Sequence, residues 1–493
     1  MAPRLRALAA KPAVQLSVGL AISAVAGSIG FQPVINRSLD SAGVNALLGL
    51  NTLLTTVSTG VMAGLEQEMT RVVSRALAIG ADAAAAIRRQ VRHAAWLIAV
   101  TLVVVGALGP VLTGRYLGGQ WLLFAELLVG LFGALASFQV RGTLSGRQDF
   151  SVYSLTLVVQ GLAVLVPFAL IWKLGLDRIW VFGLFLALAQ GVAALSGLAG
   201  PLLRRGRRAG TGADAGAAAS PSPEPVTEAV EAIERAEPTA AAAEAAARPG
   251  EKSRGGANIA LLTGATLASQ LLLNAVTLLT LARYGHTGNA TETKQASAIA
   301  TAVGVTRLGI LILLPMQAPL LPRLTAAATH GLFTEVRRRT YALTGLCAAA
   351  GLLAVAVCWT IGPWILRVVM GAHAPLSGTY LAALAGGIGF MMVAYILQST
   401  LIALNRHPVV MAAWWAGVVA TLPIFLAGSS IFATTAFAAF VGPLVTMVIM
   451  AVDAWRSTRG GDRGRTAETI PGPAAADDDP APVDGRLHAA GGR

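Results

Sequence analysis

Long apolar stretches alternate with short polar connections along the chain, and twelve of the stretches are long enough to cross a bilayer. A hydrocarbon core of about 30 Å needs roughly 20 apolar residues per helix. By that measure the first six predicted spans are Val14–Val34, Ala42–Leu65, Ala94–Leu112, Trp121–Val140, Val152–Trp172 and Ile179–Leu203. The second six are Ile259–Ala282, Ala298–Leu321, Ala342–Ile361, Leu381–Leu404, Val410–Leu426 and Ile431–Val452. Between them runs a connection, 204–257, that opens RRGRR and is rich in Ala, Pro, Glu and Gly. Such a composition builds no packed core, so a disordered tether is expected. The predicted organisation is therefore a six-helix lobe (1–203), the linker (204–257), a second six-helix lobe (258–453) and a disordered tail (454–493).

The two halves echo each other. Gly109-Pro110 ends the third span as Gly362-Pro363 ends the ninth, and Thr143-Leu144 ahead of Arg147 parallels Thr400-Leu401 ahead of Arg406. The second-to-third and eighth-to-ninth connections are both long, amphipathic and basic. A six-plus-six duplication of this kind places a substrate path between two related bundles. The expected fold class is an all-α integral membrane protein of twelve helices in two pseudo-symmetric lobes.

Composition narrows the function. Of 493 residues 55% are hydrophobic and only 12% are charged, against about 25% charged in a soluble domain. The net charge of +13 would suit a nucleic-acid partner if it formed a patch, but the basic residues fall in alternate connections and both tails. With the N-terminus inside, the inner segments carry 29 Lys and Arg and the outer loops 7. That asymmetry predicts a multi-pass membrane protein with both termini in the cytoplasm and no nucleic-acid partner, and the rich Ala, Arg and Gly usage points to a bacterial cell membrane. No GxxxxGK, HExxH, GxSxG or CxxC motif occurs, so neither an enzyme, a cofactor nor a metal site is expected. The two cysteines, Cys347 and Cys358, share one apolar run and read as buried small hydrophobes.

Polar residues inside the spans carry the candidate chemistry. Thr263, Thr266, Gln270, Asn274 and Thr277 share one face of the seventh span. Asn45, Asn51, Thr52, Thr56 and Thr59 lie in the second, and Ser297, Thr301, Gly304 and Arg307 in the eighth. Arg307 stands ten residues inside a predicted helix, where a guanidinium costs roughly 2.5–3.5 kcal/mol on insertion scales. Its alternatives are a phosphate-binding role and an ion pair, with Glu126 of the fourth span as partner or as an ion-coupling group. Arg37 follows the first span and Arg283 ends the seventh, at matching places near the outer face. Together with Arg307 they would make a central cavity cationic, which suits phosphate oxygens.

Certain motifs resemble a known family. Arg283 within TLLTLARYGHTG resembles the xARxxG…G ending of the first helix in polysaccharide flippases, and PRLTAAATHG from Pro322 to Gly331 resembles the connection after their second helix. From about Leu16 to Val452 the chain is similar to the multidrug/oligosaccharidyl-lipid/polysaccharide (MOP) exporter superfamily, which includes the multidrug and toxin extrusion (MATE) transporters. That resemblance implies a V-shaped pair of lobes working by alternating access. The implied cargo is a lipid-linked (polyprenyl-diphosphate) oligosaccharide for cell-surface polysaccharide synthesis, with glycosyltransferases or a polymerase of the same pathway as partners beside membrane lipids. Substrate-binding residues would be Arg307, Arg283, Arg37, Gln270, Asn274 and Asn51. The alternatives are a MATE-type multidrug or cation antiporter and a lipid II flippase. Antiporters of that type usually place acidic residues in the membrane, where this chain has only Glu126 well within a span. A major-facilitator transporter ranks lower, because the 28 residues of 66–93 hold no Gly-Asp-Arg-type loop.

Overall fold

The computed structural model describes residues 19–23, 25–78, 82–210, 251–307, 309–310, 324, 327–328, 332–428 and 430–468. Every regular element among them is helical. A π-helical stretch, Val25–Gly30, precedes α1 (Gln32–Ser38), whose first turn holds a proline. Then follow α2 (Ser41–Ala78), α3 (Ala83–Ala107), the short α4 (Gly109–Tyr116), α5 (Trp121–Gly146), α6 (Phe150–Lys173) and α7 (Ile179–Gly210). The second half has α8 (Glu251–Tyr284), α9 (Ala290–Thr306), α10 (Phe333–Thr360), α11 (Gly378–Ala403), α12 (His407–Ala427) and α13 (Ile431–Glu468). Polar caps set several starts: Asp82 accepts from the Ala84 N–H, Asn289 from Thr291 and Ser377 from Tyr380.

Ten of these helices are long and apolar enough to cross a membrane, and they coincide with ten of the twelve predicted spans. The other two places, the first and the eighth, hold interrupted segments. In the first, the π-helix and α1 divide the span at Phe31. In the eighth, α9 starts eight residues before Ala298 and ends at Thr306, so the unbroken helix expected over Ala298–Leu321 does not form. At this end the Thr306 hydroxyl donates to the Val303 carbonyl at 3.0 Å, and residues 309–310 are helical again. α13 extends the last span to Glu468, so residues 454–468 of the expected tail are helical. Residues 211–250 of the linker, 469–493 of the tail and most of the PRLTAAATHG connection lie outside the described residues.

Packing repeats in the two lobes. α5 and α6 both pack on α7 in the first, as α11 and α12 pack on α13 in the second. The π-helix lies on α6 as α8 lies on α12. Phe31, Phe168 and Phe182 anchor the first core in edge-to-face pairs with ring centroids 5.5 and 4.9 Å apart. In the second, Trp414 is fully buried, packs against Tyr395 and donates its indole N–H to Gln398 Oε1 at 2.7 Å.

The lobes meet along α2, which packs on both α8 and α9. Gly64 makes the approach possible: a Cβ there would stand 2.4 Å from the Thr263 hydroxyl. Without a hydrophobic drive between helices in lipid, such small-residue contacts let backbones come close enough for dispersion to hold them. Thr263, first in the polar stripe of α8, is thus spent on lobe packing.

Candidate functional site

The two ends of the bundle differ in charge, and the lobes are tied at the low-charge end. Asn45, fully buried, donates from Nδ2 to the carbonyls of Gly285 and Thr293 at 3.0 and 3.1 Å. Asn36 donates to the Met370 carbonyl at 2.8 Å. Arg37 reaches the carbonyls of Val368 and Val369 at 2.7 and 3.0 Å, and Arg115 meets that of Ala282 at 3.5 Å. Each bond joins a side chain of the first lobe to the backbone of the second.

Beneath this closure lies a cavity of about 350 Å³ between the lobes, within the size range of ligand sites. Gln32 of α1, and Asn51, Thr52, Thr55 and Gln67 of α2, form one wall. Thr266, Ser269, Gln270, Asn274 and Thr277 of α8 form the other, with Tyr395 and Gln398 of α11. Along α2 the lining runs from Leu48 to the exposed Gln67, about 28 Å at 1.5 Å per residue. It therefore reaches towards the basic end.

Arg307 projects into this space. It stands at the C-terminal cap of α9, where a cation is favoured by the exposed carbonyls of the last turn. Nη2 donates to the Leu273 carbonyl at 2.7 Å, and Nε has no partner among the described residues. Among the described residues no Asp or Glu lines the cavity, and Arg307 is the single formal charge in its lining. Nearby, Asn274 is 1% exposed and leaves Oδ1 unbonded. Gly304 admits Gln32 from the opposite lobe, since a Cβ there would lie 2.1 Å from its Nε2.

Of the residues singled out by sequence, Arg307, Gln270, Asn274 and Asn51 come together here. Arg37 and Arg283 do not line the cavity: Arg37 is part of the closure, and Arg283 donates to the Phe425 carbonyl and stands over the Tyr284 ring. Glu126 is buried inside the first lobe against Gly183, with Oε2 unbonded and no ion pair to Arg307 among the described residues. Gln32, Tyr395 and Gln398 were missed, although a lone amide or phenol in an apolar span is a usable signal.

A second cavity, about 220 Å³, lies within the first lobe. Asn51 and Thr55, one helical turn apart, line both cavities. Its walls include Ser58, Thr59, Gln160, Gln190 and Arg141. Arg141 is only 5% exposed and bonds Thr156 and Gln160.

His286 adds a pH-sensitive contact to the closure. Its ring lies against Gly118 of the other lobe and bonds the Tyr116 backbone, while Nε2 is buried without a partner. Burial holds its pKa below the usual 6.5, the Tyr116 bond opposing only in part. The open or unfolded form then binds more protons than the closed form. Stability should be fully present above about pH 6.5 and fall as pH drops towards the depressed value. Melting temperatures in detergent between pH 8 and pH 5 should show this decline, and His286→Gln should reduce its slope.

No known family profile matches the sequence, and no curated protein matches it. Solved structures do match in fold. An inward-facing multidrug-resistance MATE transporter of the MOP superfamily aligns with TM-score 0.63 and 14% identity, over 92% of this chain and 99% of that one. An outward-facing MATE transporter aligns with TM-score 0.60 and 14% identity, over 92% and 96%. The Vibrio cholerae MATE transporter VcmN in its bent form gives 0.57 and 16%, over 93% and 98%. The chain therefore has a MATE-like fold in which both lobes are represented.

Proposed function

We propose that this chain is a membrane transporter that moves a lipid-linked (polyprenyl-diphosphate) oligosaccharide across the bilayer by alternating access of its two lobes. The observation that carries the reading is the interlobe cavity, whose lining, among the described residues, has a guanidinium with an unbonded Nε as its single formal charge and no carboxylate. A guanidinium presents a planar fork of donors that matches phosphate oxygens. The remaining amide and hydroxyl groups suit polar sugar atoms, while the cargo's hydrocarbon tail stays in lipid. With the basic end in the cytoplasm, as its charge favours, a closed low-charge end makes this the inward-accessible state. A cationic drug, the cargo of an antiporter, would meet Arg307 with no compensating carboxylate among the described lining residues.

Reconstitution in liposomes separates the two readings. Under the proposal, a fluorescent polyprenyl diphosphate carrying one glucose equilibrates between leaflets faster than in protein-free vesicles, and a cationic dye does not move. Dye export without movement of the glycolipid would overturn the reading.

A further inference from the structure

We infer that the cavity within the first lobe is a subsite for a neutral sugar ring, separate from the phosphate-binding position at Arg307. The inference rests on the proposed cargo, and it specifies where one part of that cargo sits.

Three observations fix the chemistry of the ligand. First, the unfilled valence in the wall is an acceptor: Gln190 is 8% exposed, lines the cavity and has no partner for Oε1. An acceptor needs a donor such as a hydroxyl, which a fully deprotonated anion lacks. Second, the Arg141 guanidinium is already engaged by neutral groups of its own lobe. It donates to the Thr156 hydroxyl at 3.1 Å and to Gln160 Oε1 at 2.5 Å. Those bonds fix it in the wall, where it lines the chamber as a donor. Third, the remaining polar lining is uncharged and mixed in sense, with the hydroxyls of Ser58 and Thr59 and the amide of Gln160. A wall that both donates and accepts over a small volume matches a polyhydroxyl ring.

Size and position agree. The chamber of about 220 Å³ has room for roughly seven waters, which a single ring would displace. Asn51 and Thr55 line both cavities. A sugar next to a phosphate at Arg307 therefore has the chamber on the far side of one turn of α2.

The test compares two probes in detergent: polyprenyl diphosphate alone, and the same lipid carrying one glucose. The wild-type protein should bind the glycosylated lipid about tenfold more tightly than the bare one. Gln190→Leu should abolish that preference and leave affinity for the bare lipid unchanged, and Thr59→Val should give the same pattern if the first variant does not fold. Equal wild-type affinity for both lipids, or a loss in the variant that is equal for both, would overturn the sugar subsite alone. Failure of the wild type to bind either lipid would instead overturn the cargo assignment on which the subsite depends.

Discussion

Arg307→Ala is expected to slow transport of a phosphate-bearing lipid by roughly tenfold to a hundredfold, the range set by losing charge-assisted hydrogen bonds of about 1.5–3 kcal/mol. The guanidinium is placed for that effect. One nitrogen is fixed to the Leu273 carbonyl, which orients the fork, and Nε faces a cavity with no acidic residue in its described lining. Arg307→Lys should recover only part of the loss, because a point charge cannot repeat the planar two-bond contact. A purely structural arginine would behave differently. Removing it would leave the Leu273 contact unmade and lower the melting temperature without changing the affinity of the folded protein. Flipping assays and thermal unfolding on the same preparations separate these outcomes, and unchanged flipping at equal protein content would sink the role assigned to Arg307.

The second large effect belongs to Asn45. Its amide makes two bonds to backbone carbonyls of the other lobe in a fully buried position. Asn45→Ala leaves both carbonyls without that donor, at about 1–3 kcal/mol for a buried unsatisfied group. The penalty falls on the closed arrangement alone, since water can satisfy the carbonyls once the lobes part. Closed and open populations should then shift by roughly tenfold to a hundredfold towards opening at the low-charge end. Spin labels introduced by Gln120→Cys and Ala290→Cys, with Cys347 and Cys358 replaced by alanine, report this directly. The distance distribution should lengthen in the variant, and an unaltered distribution would show that Asn45 does not hold the closure.

Much of this architecture is legible in the chain because lipid imposes a simple length rule. Ten predicted spans coincide with ten helices, and the stripe on α8 was readable from its helical spacing. Four of its five members line the cavity, and Thr263 packs against Gly64. Arg141 was not legible for a physical reason. Span assignment ends where apolar residues end, at Val140, whereas α5 continues to Gly146 and keeps Arg141 within the lobe. The matching signal lay one repeat away. The alignment of Thr143 with Thr400 sets Arg141 opposite Gln398, and both turn out to line cavities. Arg37 and Arg283 matched each other in position along their spans but not in surroundings. Which carbonyls lie within reach of a long side chain depends on how separate helical segments are placed, and periodicity does not encode that placement. Phe425 lies in α12, and Val368 and Val369 in a helical turn.

The closure at the low-charge end has a further consequence for how the sequence can vary. Asn36, Arg37, Asn45 and Arg115 are the donors, and their acceptors include the main-chain carbonyls of Met370, Val368, Val369, Gly285, Thr293 and Ala282. A carbonyl stays in place whatever side chain its residue carries. The second lobe can therefore exchange residues at these positions and keep its half of the seal, provided the backbone path holds. Substitutions in four side chains of the first lobe would break it. The mutational burden of closing the protein is thus unequally divided between two halves of the same architecture.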